Sequence, residues 1–225
     1  MKKPEESKSR LIISAYIGIY ASGIRKMIIF VAEMEKKRCH WANPKNPLYI
    51  RYHDNEWGRA MHDDAKLLEL LTLECFQAGL SWECILNKRE AFRKAFDNFD
   101  RDTILAYDDK DVERLMADEG IIRNRAKIRA AITNTHVFHD IQTEFGSFDA
   151  YLSTFCPACP IQDHLSVKSD ISDALSADLR RRGMKFVGSV TIHAFLQSIG
   201  VFNSHFPECY LYDDGDARSD CDRLD

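Results

Sequence analysis

What most restricts the fold is a periodicity: from Asp64 to Gly200 apolar residues recur three and four positions apart, and no stretch sustains the alternation of a half-buried strand. A chain patterned this way buries its apolar stripes by packing helix on helix, so the fold class is all-α. A helix is expected over residues 63–78, with Gly79 suited to the left-handed position past its end. Ser81 is a good N-cap for a second helix, with Glu83 in the first turn, where the helix dipole favours negative charge. Trp82, Ile85, Leu86, Phe92 and Phe96 form its apolar face. A third helix over 110–119 stops at Gly120, and a short turn at 121–123 leads into a long helix through Ile128, Ile132, Thr135 and Phe138. Later helices are expected over 148–155, over 172–182 closed by Gly183, and over 188–199 closed by Gly200, while two prolines mark 156–169 as a loop.

The formal net charge of −4 at first argues against a nucleic-acid partner, because lysines and arginines that neutralise phosphates supply most of that affinity. The average hides a local distribution. Six aspartates in 213–225 against Arg218 and Arg223 account for the whole excess. Elsewhere Arg123, Arg125, Lys127 and Arg129 form one basic cluster, and Arg180, Arg181, Arg182 and Lys185 another. Seven cysteines, an odd number irregularly spaced, fit reduced thiols in a reducing compartment and some metal binding. Near the N-terminus the apolar runs 11–24 and 27–32 are separated by Arg25 and Lys26, and neither is long enough to span a bilayer. Basic residues precede the first run as in a signal peptide, but no clear small-residue cleavage site follows it. Residues 1–36 are expected to be an appendage outside the fold, and the acidic tail 211–225, poor in apolar residues, is expected to be disordered.

Leu67, Leu71, Glu74 and Ala78 fall at i, i+4, i+7 and i+11, so Glu74 projects from the face the leucines would bury. A buried carboxylate titrates to neutral, finds a cation, or faces a cavity in which a ligand supplies donors. Taken alone, Glu74 also fits the edge of the stripe or a pair with a core arginine. Its neighbours favour the cavity. Gln77-Ala78-Gly79-Leu80-Ser81-Trp82 makes a tight corner between two helices with a bulky apolar residue and a Trp at its tip, and Trp41, Tyr49, Tyr52 and Trp57 lie upstream. One aromatic is ordinary core. Several beside one anomalous carboxylate describe a pocket that holds a flat, cationic ring by stacking and charge.

Cys39 and His53, thirteen residues apart, and His205 and Cys209, three apart, supply a Cys2His2 set suited to tetrahedral zinc, although buried thiols and imidazoles without metal fit the same spacing. Cys156-Pro-Ala-Cys159 is a tidier C-x2-C pair, but no second pair completes it, and it is read as loop thiols. A zinc deaminase is excluded, because that chemistry needs H-x-E before P-C-x-x-C and the chain has no H-x-E.

These residues form a recognisable series. Arg38-Cys39-His40-Trp41, Tyr52-His53-Asp54-Asn55-Glu56-Trp57-Gly58, Gln77 to Trp82, Gly120-Ile121-Ile122-Arg123, Arg182 to Gly188 and His205-x3-Cys209 closely resemble the 3-methyladenine DNA glycosylase I family over about residues 37–210. The resemblance implies a helix-hairpin-helix glycosylase-like bundle, with a structural zinc on Cys39, His53, His205 and Cys209 joining the N- and C-terminal segments. It implies Glu74 as the base-recognising acid, Trp41, Tyr49 and Trp82 as stacking residues, and Tyr52 as a hydrogen-bond partner of the base. Leu80, beside Gly79, resembles the wedge that fills the stack after a nucleotide leaves it, and Gly120, Arg123 and Arg125 would hold phosphate. The expected activity is excision of 3-methyladenine from alkylated double-stranded DNA by a cytoplasmic monomer with no membrane partner. The acidic tail would compete with DNA for the hairpin. The alternatives are a non-enzymatic zinc-stabilised DNA-binding module, which has no use for Glu74, and a zinc hydrolase, which needs an open metal position.

Overall fold

A computed structural model describes residues 36–212. The expected appendage before Lys36 and the acidic tail beyond Tyr212, with its competition for DNA, lie outside the described residues. Among the described residues the helices are α1 (Pro47–Asn55), α2 (Asp64–Gln77), α3 (Trp82–Ala95), α4 (Arg101–Leu105), α5 (Asp109–Ala117), α6 (Arg125–Phe145), α7 (Phe148–Leu152), α8 (Asp170–Arg182) and α9 (Ser189–Ser198). Each start has a chemical cause. Asp63 accepts from the Ala65 and Lys66 amides, Ser81 from Cys84, and Asn124 from Lys127, while Ser169 and Ser172 close a capping box at α8. Gly79 at φ +82° and Gly183 at φ +110° take the left-handed conformations expected of them.

Helix α2 is the axis of the molecule. Every residue from Leu67 to Phe76 is buried, as befits a helix enclosed on all sides. On one side Leu67, Leu70, Leu71 and Cys75 pack with Val137, Phe138 and Ile141 of α6 and with α7, α8 and α9. On the other, Leu73 and Phe76 meet Ile85 and Phe92 of α3, Phe96, Leu115 of α5 and Ile128 of α6. A third, smaller cluster of Tyr49, Tyr52 and Leu86, flanked by Trp41, Trp57 and Trp82, sits against this axis.

Several expectations need correction. The helix expected over 148–155 ends at Leu152, because the Phe155 and Cys156 amides turn back onto the Leu152 carbonyl. The loop after it contains a two-residue strand, β1 (Ile161–Gln162), paired in parallel with β2 (Phe202–Asn203), Ile161 opposite Phe202. Cys159 is disulfide-bonded, against the expectation of reduced thiols throughout; it lies in a proline-flanked surface loop, where a thiol is accessible. Helices α1 and α4 were not anticipated, although Asn46 before Pro47 and Asp100 before Arg101 are legible caps.

Candidate functional site

Glu74 is buried inside α2, and its Oε2 has no hydrogen-bond partner. It lies at a cavity of about 200 Å³ whose walls come from four elements. Trp41 and Trp57 flank α1, Tyr49 and Tyr52 project from α1, Trp82 opens α3, and Ala194 and Gln197 of α9 close the far side. The rings touch: Tyr52 and Trp82 have centroids 5.2 Å apart, Trp41 and Tyr49 5.4 Å, Trp41 and Trp57 4.7 Å. Burial pushes the Glu74 carboxyl up to about 8. Burial, and then the neighbouring Glu74, raises the Tyr52 hydroxyl well above its ordinary value, so Tyr52 stays a donor. Of two larger cavities, each of about 270 Å³, one adjoins this site across Trp41, Trp57, Ala194 and Gln197 and the other lies apart, and neither is lined by an unpaired carboxyl. Chemistry, not volume, selects the smaller one.

The arginine-paired alternative considered for Glu74 belongs to another residue of the same helix. Glu69, also buried, accepts from Arg89 Nε at 2.7 Å and Arg93 Nε at 2.8 Å, and Arg89 reaches Glu56 at 2.6 Å.

The corner after α2 is held from below. Lys127 of α6 is buried and donates to the Phe76 and Ala78 carbonyls at 2.7 and 2.6 Å. It is therefore a cap on α2 and not a free cation of the basic cluster. Leu80, 40% exposed, stands at the tip. The turn between α5 and α6 carries Gly120, where an added Cβ would meet the Ala91 Cβ at 2.9 Å, so the close approach to α3 requires glycine. Lys88 of α3 donates to the Gly120 carbonyl at 2.9 Å. Arg123, Arg125 and Arg129 line the outside of this turn, and each is paired with an acid: Glu119, Glu113 and Asp109. The basic cluster is thus locally neutralised.

Cys39, His53, His205 and Cys209 converge, all buried, with their donor atoms within 4.8 Å of one another. Cys39 Sγ lies 3.5 Å from His205 Nδ1, and Cys209 Sγ lies 3.4 Å from His53 Nε2 and 3.5 Å from His205 Nδ1. Bonds of the usual zinc–sulfur and zinc–nitrogen lengths at tetrahedral angles put neighbouring S and N atoms about 3.6 Å apart, so the set fits such an ion. His53 Nδ1 meets Asp54 at 2.8 Å, and Arg38 donates to both oxygens of Asp54. That chain turns Nε2 toward the thiols. Asp54 and Arg38 were missed as supports, although both stand beside the ligands in sequence; Gln77 and Gln197 were missed because no pattern marks them.

The model of the methyladenine glycosylase family matches residues 41–212. DNA-3-methyladenine glycosylase 1 of Escherichia coli (strain K12) is 41% identical over 182 residues, 78% of this chain and 97% of that protein. A crystal structure of 3-methyladenine DNA glycosylase I matches with a TM-score of 0.76 at 39% identity, covering 79% of this chain and 100% of that one. The enzyme of that name from Staphylococcus aureus, solved for the structural basis of its 3-methyladenine recognition, matches with a TM-score of 0.71 at 33% identity, covering 74% and 92% of the two chains.

Proposed function

The chain belongs to the methyladenine glycosylase family, and from that premise we propose that it removes 3-methyladenine from alkylated double-stranded DNA by hydrolysing the glycosidic bond of a base turned out of the helix. Glu74 carries this reading: a buried carboxyl with an unpaired oxygen in an aromatic-walled cavity suits a flat, cationic guest. Methylation at N3 places positive charge on the adenine ring and already weakens its bond to the sugar. The site has only to extrude the base, bind its cationic form and favour positive charge on the sugar as the base departs.

In the empty pocket Glu74 is held neutral by burial; a cation beside it favours the ionised form, which then accepts hydrogen bonds from the base. Trp41, Tyr49 and Trp82 stack on the ring, Trp57 backs Trp41, and Tyr52 donates to the base. Leu80, presented by the turn at Gly79, fills the vacated position in the stack. Around Gly120, Arg123 and Arg125 exchange Glu119 and Glu113 for phosphates in a helix-hairpin-helix contact. No residue is assigned to activate water.

Cys39, His53, His205 and Cys209 would hold a structural zinc. With four protein ligands no position would stay open for water, so these residues would fasten the segment before α1 to the segment after α9 and supply no catalytic metal. Removal of the zinc is expected to lower the Tm; chelation that abolished activity without loss of stability would contradict this role. The protein acts as a monomer in the cytoplasm.

The test is release of free 3-methyladenine from DNA treated with a methylating agent, by the wild type and Glu74→Gln in parallel. Release that is strongly weakened in the variant supports the reading. A folded, zinc-loaded wild type that releases nothing would leave a non-enzymatic DNA-binding module in its place.

A further inference from the structure

Gln197 stands in the wall between the base cavity and a second cavity on its far side. Ser204 lines the second cavity but not the first. The buried Ser204 hydroxyl lies 2.5 Å from the Asp163 carbonyl and 2.9 Å from Gln197 Nε2. A carbonyl only accepts, so Ser204 gives its single proton to Asp163 and keeps only lone pairs for Gln197. Gln197 therefore turns its amide nitrogen toward Ser204, which leaves its Oε1 free to face the base cavity that it lines. Asp163 is itself fixed, because its amide donates to the Asn203 carbonyl at 3.1 Å beside the β1–β2 pair. The orientation of the Gln197 amide is built into the backbone.

We propose that Gln197 is a specificity-determining residue: its oriented Oε1 accepts from the exocyclic amino group of adenine and repels O6 of guanine, so that the pocket discriminates 3-methyladenine from 3-methylguanine. This rests on the function proposed above. Adenine and guanine differ at that edge as donor and acceptor, so one fixed acceptor suffices to tell them apart. Of the other polar groups at the cavity, the Tyr49 and Tyr52 hydroxyls rotate, whereas the buried, unpartnered Trp82 Nε1–H is a fixed donor. Glu74, ionised beside either cationic base, only accepts, and Gln197 adds a second acceptor whose direction Ser204 sets.

DNA treated with a methylating agent contains both lesions, and the free bases released by wild type, Gln197→Leu and Ser204→Ala are quantified from each mixture. The ratio of 3-methyladenine to 3-methylguanine does not depend on how much of a variant is folded. Gln197→Leu is expected to lower it about tenfold. Ser204→Ala, which frees the amide to flip, should lower it by a smaller factor. An unchanged ratio in Gln197→Leu, with 3-methyladenine still released, overturns the inference and leaves the proposed function standing. A wild type that releases neither base overturns the function, and this inference with it.

Discussion

Helix α2 carries two buried carboxyls five residues apart, Glu69 and Glu74, in opposite electrical surroundings. Burial alone would raise both. At Glu69 the hydrogen bonds from Arg89 and Arg93 outweigh it and hold the carboxyl below its ordinary value. At Glu74 nothing opposes burial, and the carboxyl rises to about 8. The first arrangement is complete without a ligand and fastens α2 to α3. The second is incomplete: an unsatisfied buried oxygen costs stability, and the fold keeps it beside an aromatic cavity. Where a helix is enclosed on all sides, burial of an acid says little about its role; the partner it lacks says more.

The sharpest way to break this contrast is to neutralise each acid in turn. Glu69→Gln leaves Arg89 buried with only Glu56, and should lower stability by roughly 3 kcal/mol in chemical denaturation while the excision rate per folded molecule is kept. A large loss of rate there would make Glu69 part of the site. Glu74→Gln should do the reverse, lowering excision about a hundredfold at little cost in stability near pH 6.

Titration separates the pair further. Glu74 has a folded value above its ordinary 4.5, so its contribution to stability is present below pH 4.5 and lost as pH rises through about 8. Glu69 is held below 4.5, so its contribution is present above that pH and lost only as pH falls through its folded value. Between pH 6 and 9 the wild type should therefore lose about 3 kcal/mol relative to Glu74→Gln. Its margin over Glu69→Gln should not move. A constant margin over Glu74→Gln would mean that the carboxyl is not buried in its neutral form.

The smallest effect is expected at the exposed Arg125–Glu113 pair, the surface counterpart of Arg89–Glu69. Arg125→Gln should leave stability essentially unchanged, yet reduce the salt dependence of DNA binding by about one counterion. An unchanged salt slope would remove Arg125 from the DNA contact.

Much of this was legible in the sequence, for local reasons. Helix periodicity, the caps at Ser81 and Asn124 and the left-handed glycines at 79 and 183 are decided within a few residues, and the backbone obeys them. Glu74 stood out because a charge on an apolar stripe is an anomaly in one dimension. Cys39, His53, His205 and Cys209 did not: their spacing fitted buried thiols and imidazoles as well as a metal, and the family resemblance singled them out as a set. Short β pairing between 161 and 203 was invisible, since two residues on each side carry no pattern.

What tertiary structure decided is which groups find partners. Glu69 and Glu74 are one residue type on one helix, and only packing gives Arg89 and Arg93 of α3 to the first and the aromatic wall of Trp41, Tyr49, Tyr52, Trp57 and Trp82 to the second. Lys127 reads as a surface cation until α6 lays it across the end of α2. Gln197 acquires a direction only because Ser204 and Asp163, distant in sequence, meet behind it. Propensity is set by neighbours along the chain, whereas desolvation and pairing depend on neighbours in space, and those exist only once the helices have packed.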